Sequence, residues 1–133
     1  MRVILLLVLV IFTSCATQNP QNMCMEVVEN YYDSLITQDL ETQMDILEPF
    51  GLDKDSYRDV FLSHVLGGEL HEIKIEHEDE LLIMVKLDFT LNLDEEFTDN
   101  VSFHSGENRI QRYFSFFKGE DYRLKEILNK AIY

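Results

Sequence analysis

The 133-residue chain carries 25 acidic against 11 basic residues, a net charge of −14 at pH 7. This balance excludes the electropositive surface that nucleic-acid binding needs, and the length suits one domain with a single core. Two cysteines give no disulfide framework, so stability has to come from packing.

The chain opens on "RVILLLVLVIFTSC", in which Val3 to Phe12 are all apolar. A helix needs about 20 apolar residues to cross a bilayer, so this run is too short to span one. Arg2 before it and the small Thr13 and Ser14 after it match the regions of a secretory signal. Phe12-Thr13-Ser14-Cys15 resembles the lipobox of bacterial lipoproteins, with Phe12 where a Leu is usual. The resemblance implies that residues 1–14 are a lipoprotein signal peptide. Cys15 then becomes the lipidated first residue, bearing a thioether-linked diacylglyceryl group and an amide-linked third chain such as palmitate. Two or more chains anchor stably, each buried methylene contributing about 0.8 kcal/mol. An ordinary secretory signal with an incidental cysteine is the alternative. Ala16 follows the cysteine, not the Asp that resembles an inner-membrane retention signal. The periplasmic face of the outer membrane is therefore implied in a Gram-negative host, and the outer leaflet of the plasma membrane in a Gram-positive one.

Residues 15–22 read as an uncharged polar tether and 23–133 as the domain. Without Arg2 the balance is 10 bases against 25 acids, and membrane attachment would rest on the lipid, since anionic headgroups are repelled. Cys24, then the lone thiol, reads as a small buried hydrophobe. Val28, Tyr31, Tyr32, Leu35 and Ile36 follow the i, i+3, i+4 spacing of an amphipathic helix. Asp39 is placed to cap a second helix bearing Leu40, Met44 and Leu47, which Pro49 and Gly51 end. A third helix is expected over residues 54–66, capped by Asp53 or Asp55 and stopped by Gly67 and Gly68.

After Gly68 the period becomes two. Residues 70–78 and 81–93 read as a hairpin turning at 78–80. Leu81, Ile83, Val85, Leu87, Phe89, Leu91 and Leu93 share one face, and Lys86, Asp88, Thr90 and Asn92 the other, so one face is expected buried and the other wet. Residues 94–108 form an irregular acidic segment with Phe97, Val101 and Phe103 as apolar anchors. Residues 109–117 and 122–128 suggest a second hairpin across the Gly119 turn. Leu124, Ile127, Leu128, Ala131 and Ile132 also fit a helix, which leaves strand or helix open at the end.

Helices followed by an antiparallel meander imply an α+β fold, with N-terminal helices packed on a curved antiparallel sheet of about four strands. The stretch "YYDSLITQDLETQMDIL" resembles the opening of the NTF2-like (cystatin-like) superfamily, and "FFKGEDYRLKEI" is similar to its closing hairpin. The resemblance implies a cone with an apolar mouth, used by isomerase-like and cyclase-like enzymes and by many non-catalytic domains.

Chemistry in such a cone needs an inward carboxylate or His with a shifted pKa. Asp88 has the wrong parity. His71 and His77 share strand parity with Ile73 and Ile75, while Arg112 lies between Ile110 and Phe114. The expected pocket lining is therefore Tyr32, His71, Ile73, Val85, Phe89, Arg112 and Phe114, with no catalytic residue assigned. His71 and His77 stand roughly 20 Å apart on a strand and cannot share an ion. The stretch "DKDSYRDVFLSH" has Arg58 where a calcium loop needs Gly and His64 where it needs Glu. No metal and no cofactor are expected. Three functions remain in view. The first is a lipid-anchored, non-catalytic domain binding a small apolar ligand or a protein partner. The others are an isomerase-like or cyclase-like enzyme, and an immunity-type lipoprotein covering a cationic toxin. No pattern specifies the oligomeric state.

Overall fold

The computed structural model describes residues 19–129. The expected signal peptide, Cys15 and residues 16–18 lie outside the described residues, as do Ala131 and Ile132. Among the described residues no helix is long and apolar enough to cross a membrane.

Helix α1 (Pro20–Ile36) starts inside the segment read as a tether. The Asn19 side chain accepts a hydrogen bond from the Gln21 amide at 2.8 Å, and Pro20 occupies the first turn, where its missing N–H goes unused. Residues 20–22 thus belong to the domain. The helix buries Cys24, Val28, Tyr31, Tyr32 and Leu35 along one face, and burial pushes the Cys24 thiol up to about 11, with the charge of Glu78 adding to the effect. Helix α2 (Leu40–Leu47) is capped as expected by Asp39, which accepts from the Thr42 hydroxyl at 2.7 Å and the Thr42 amide at 3.2 Å. Those bonds hold the Asp39 carboxyl below its ordinary range.

Asp53 caps helix α3 (Lys54–Val60) through the Ser56 amide at 2.9 Å. This helix ends at Val60 and not near 66. Phe61 leaves helical geometry (φ −131°, ψ −65°), and Leu62–His64 form a 3₁₀ turn. Tertiary contacts override the local pattern here: Leu62 is buried, and the imidazole Nδ1 of His64 lies 2.8 Å from the Asp94 carboxylate. The Asp94 amide donates to the His64 carbonyl at 2.9 Å, which fixes the chain as it enters the sheet.

The sheet has four strands, β1 (Val65–Glu78), β2 (Leu82–Leu93), β3 (Gly106–Phe117) and β4 (Arg123–Leu128), antiparallel throughout and in sequence order. Three N-terminal helices on an open four-stranded antiparallel sheet make the α+β fold that the sequence implied. Residues 123–128 are strand and not helix. Gly67 and Gly68 lie within β1 instead of stopping a helix. At Gly68 a Cβ would sit 2.3 Å from the Thr90 carbonyl oxygen and 2.9 Å from Cδ1 of Ile36, so glycine lets the end of α1 approach the β1–β2 ladder.

Val85, Leu87, Phe89, Leu91 and Leu93 are at most 2% exposed and form the face that meets the helices. Tyr31 packs edge-on against Phe114 at 5.0 Å and Tyr32 against Phe89 at 5.8 Å. The opposite face is not uniformly wet: Met84, Asp88, Thr90 and Ser115 are buried there as well. β2 is an interior strand, and long side chains from its neighbours lie over it. Arg109 reaches Asp88 with Nε at 2.7 Å and Nη2 at 2.9 Å, which holds the Asp88 carboxyl below its ordinary range. In the β3–β4 turn the left-handed positions fall on Asp121 and Tyr122 (φ 57° each) and not on Gly119.

Candidate functional site

Residues 94–105 connect β2 to β3 without regular structure, yet side-chain caps hold them closely. The Asn100 side-chain oxygen Oδ1 accepts from the Ser102 and Phe103 amides at 2.8 Å each, and the Asp99 carboxylate accepts from the Ser105 amide at 2.8 Å. Buried Asn108 accepts from the His104 amide at 3.0 Å and donates to the His104 carbonyl at 2.8 Å. Asn and Asp satisfy loop backbone in this way, so a loop without a ladder keeps one shape. Phe97 is buried by it, and Phe103 is set against the helices.

A cleft of about 410 Å³ opens between this loop and the helical layer. Tyr31, Leu47 and Tyr57 form its helical wall, and Leu52 and Phe61 flank it. Phe103 and Arg112 form the wall on the loop and sheet side. The Phe61 and Phe103 rings lie 5.0 Å apart, and the Arg112 guanidinium stands 5.3 Å from the centroid of Phe103.

Behind the cleft, buried Gln43 ties the helical wall together. Its amide nitrogen donates to the Tyr31 carbonyl at 2.8 Å and to the Ser34 hydroxyl oxygen at 2.6 Å, while its carbonyl oxygen accepts from the Tyr57 hydroxyl at 2.5 Å. Every hydrogen-bonding atom of this amide has a partner, as a buried amide requires. Burial, and secondarily the neighbouring Tyr31, push the Tyr57 phenol well above its ordinary value, with Arg112 opposing the shift. Tyr57 therefore stays a protonated donor. Arg112 donates from Nη1 to the Tyr31 hydroxyl at 2.8 Å, and its Nε is buried without an acceptor.

Of the pocket residues expected from sequence, Arg112 lines this cleft. Val85, Phe89 and Phe114 are solid core, Tyr32 is 8% exposed and packed on Phe89, and Ile73 is half-buried on β1. His71 and His77 do not share the face of Ile73 and Ile75. The β1–β2 register slips between Leu70 and Glu72 and again between Ile75 and His77, so each slip exchanges the two faces. His71 sits in the first bulge and reaches the Thr90 hydroxyl at 2.7 Å, and His77 stands opposite Met84, both on the face away from the helices. The structure thus brings Arg112 to Tyr31 and separates both histidines from them.

Tyr31 and Phe103 were legible as apolar positions, but the cleft they form with Tyr57 and Phe61 was not, because three separate segments supply it. Among the described residues no group of three or more His, Cys, Asp or Glu side chains is placed to hold a metal ion. A second cleft of about 400 Å³ lies beyond the Phe103–Arg112 contact. It runs past Arg109, Gln111 and Asn129, where β3 extends past its pairing with β4.

No protein-family model matches the chain, and no curated protein or solved structure is significantly similar to it.

Proposed function

We propose that this chain is a lipid-anchored envelope protein whose domain, of the NTF2-like kind, binds a small ligand with a flat apolar body and does not transform it. The anchor rests on the lipobox-like Phe12-Thr13-Ser14-Cys15, and the superfamily on the order of helices and strands together with the two quoted stretches. The observation that carries the binding reading is the aromatic cleft. Its 410 Å³ falls in the range of small-molecule sites, roughly 300–1,000 Å³, and it combines an apolar lining with a few convergent polar groups.

Binding is favoured over isomerase-like chemistry by the state of those polar groups. Proton abstraction needs a base whose pKa lies near the working pH, within hydrogen-bond reach of the substrate. In the cleft the Tyr57 phenol is held protonated and committed to Gln43, and both strand histidines face away.

The test is equilibrium binding of a neutral aromatic probe, 2-naphthamide, followed by naphthyl fluorescence. Saturable one-site binding, weakened about tenfold or more in Phe103→Ala through loss of a stacking face, is the expected result. Absence of saturable binding both by this amide and by the corresponding acid, 2-naphthoate, would overturn the reading.

A further inference from the structure

Every lysine and arginine among the described residues except Arg112 has a carboxylate within 3.8 Å. Among the described residues Arg112 has none, although the whole chain carries 25 acids to 11 bases. Its protein partners are the neutral Tyr31 hydroxyl and the face of Phe103, while Nε is buried and unpaired. A guanidinium presents five N–H donors, and one of them has a protein acceptor here. Arg112 is half-buried, with Nε shut away from water, and a guanidinium so placed is best compensated by an opposite charge. Neither a phenol nor a phenyl ring supplies one.

From this, resting on the binding reading above, we infer that the cleft ligand is an amphipathic monocarboxylate: its carboxylate pairs with Arg112 and its flat apolar body lies against Phe103, Tyr31 and Tyr57. The planar fork of a guanidinium matches a carboxylate with two parallel N–H donors. Charge narrows the class further. One unpaired cation in a strongly acidic chain suits a single negative charge, whereas a phosphate dianion would meet greater repulsion from the chain's net charge of −14. The aromatic side chains set the character of the rest, since Tyr57, Phe61 and Phe103 line the cleft and an apolar body would lie among them.

The test compares 2-naphthoate with 2-naphthamide, nearly identical in shape and differing in charge, on the wild-type protein and on Arg112→Gln at pH 7. The wild type is expected to bind the acid about tenfold or more tighter than the amide, the effect of one charge-assisted pair. In Arg112→Gln that preference disappears, the acid and the amide binding with equal affinity. Circular dichroism checks that the variant folds, and if it does not, the wild-type ratio decides alone. Equal wild-type affinities for acid and amide would overturn the monocarboxylate and leave the binding reading intact. Binding of neither compound would overturn both.

Discussion

The Arg112 guanidinium and the Tyr31 hydroxyl, 81 residues apart in sequence, meet at 2.8 Å where helix α1 crosses the inner face of β3. The contact joins the helical layer to the sheet at the cleft. Tyr31→Phe should keep the ring contact with Phe114 and lose only this bond. The expected cost is about 1.5 kcal/mol, the lower end for a bond to a charged group because Arg112 is partly open to the cleft. Urea unfolding measures it, and a midpoint identical to wild type would show that the bond contributes nothing net.

Gly68→Ala should destabilise by about 1–3 kcal/mol, the usual effect of forcing atoms into a packed place. The added Cβ would meet the Thr90 carbonyl oxygen at 2.3 Å, which is backbone and cannot rotate away. Gly67→Ala is the control, since nothing lies within 4 Å of its Cβ position. Equal melting temperatures for the two variants would contradict the tight packing around Gly68.

Two ion pairs on opposite limbs shape the dependence of stability on pH. The hydrogen bond that His64 Nδ1–H donates to the Asp94 carboxylate raises the His64 pKa above its ordinary 6.5. Its stabilisation is therefore fully present below 6.5 and is lost as pH rises through the folded value. Arg109 lowers the Asp88 pKa below 3.8, with Gln111 assisting, so that stabilisation is present above 3.8 and is lost as pH falls through the folded value. Asp94→Asn should lower the His64 midpoint seen by NMR, and Arg109→Ala should move acid unfolding to higher pH. Unmoved midpoints in both variants would remove these pairs from the account.

Much of this architecture was written plainly in local patterns. Alternation from Ile83 to Leu93 fixed which face of β2 meets the helices, and Asp39 and Asp53 capped the helices where their spacing placed them. Other features had no local signature. A Gly-Gly pair ends helices and also admits close packing, and only the Ile36 side chain lying over β1 distinguishes the two. Bulges at His71 and Glu76 turned both histidines to the outer face, although nothing in "ELHEIKIEHE" separates a bulge from regular strand. The cleft was illegible for a related reason: Gln43 joins Tyr31 to Tyr57 within the helical layer, and Phe103 meets them because Asn100 and Asn108 fold the loop back.

Location is independent of the cleft and has its own test. Full-length wild type expressed in a bacterium should fractionate with membranes, with the mature mass of an acylated chain beginning at Cys15. Cys15→Ala should remain unprocessed. Release of the wild type without lipid would replace the anchored protein with an ordinary secreted one and leave the cleft untouched.

The most direct measurement is an NMR-detected titration of the chain with 2-naphthoate, reading the ring signals of Tyr31, Tyr57 and Phe103 and the Nε–H signal of Arg112. The account predicts saturable shifts that converge on these four residues, with His71 and Thr90 on the opposite face unmoved. Shifts centred on the outer face, or none at all, would contradict it.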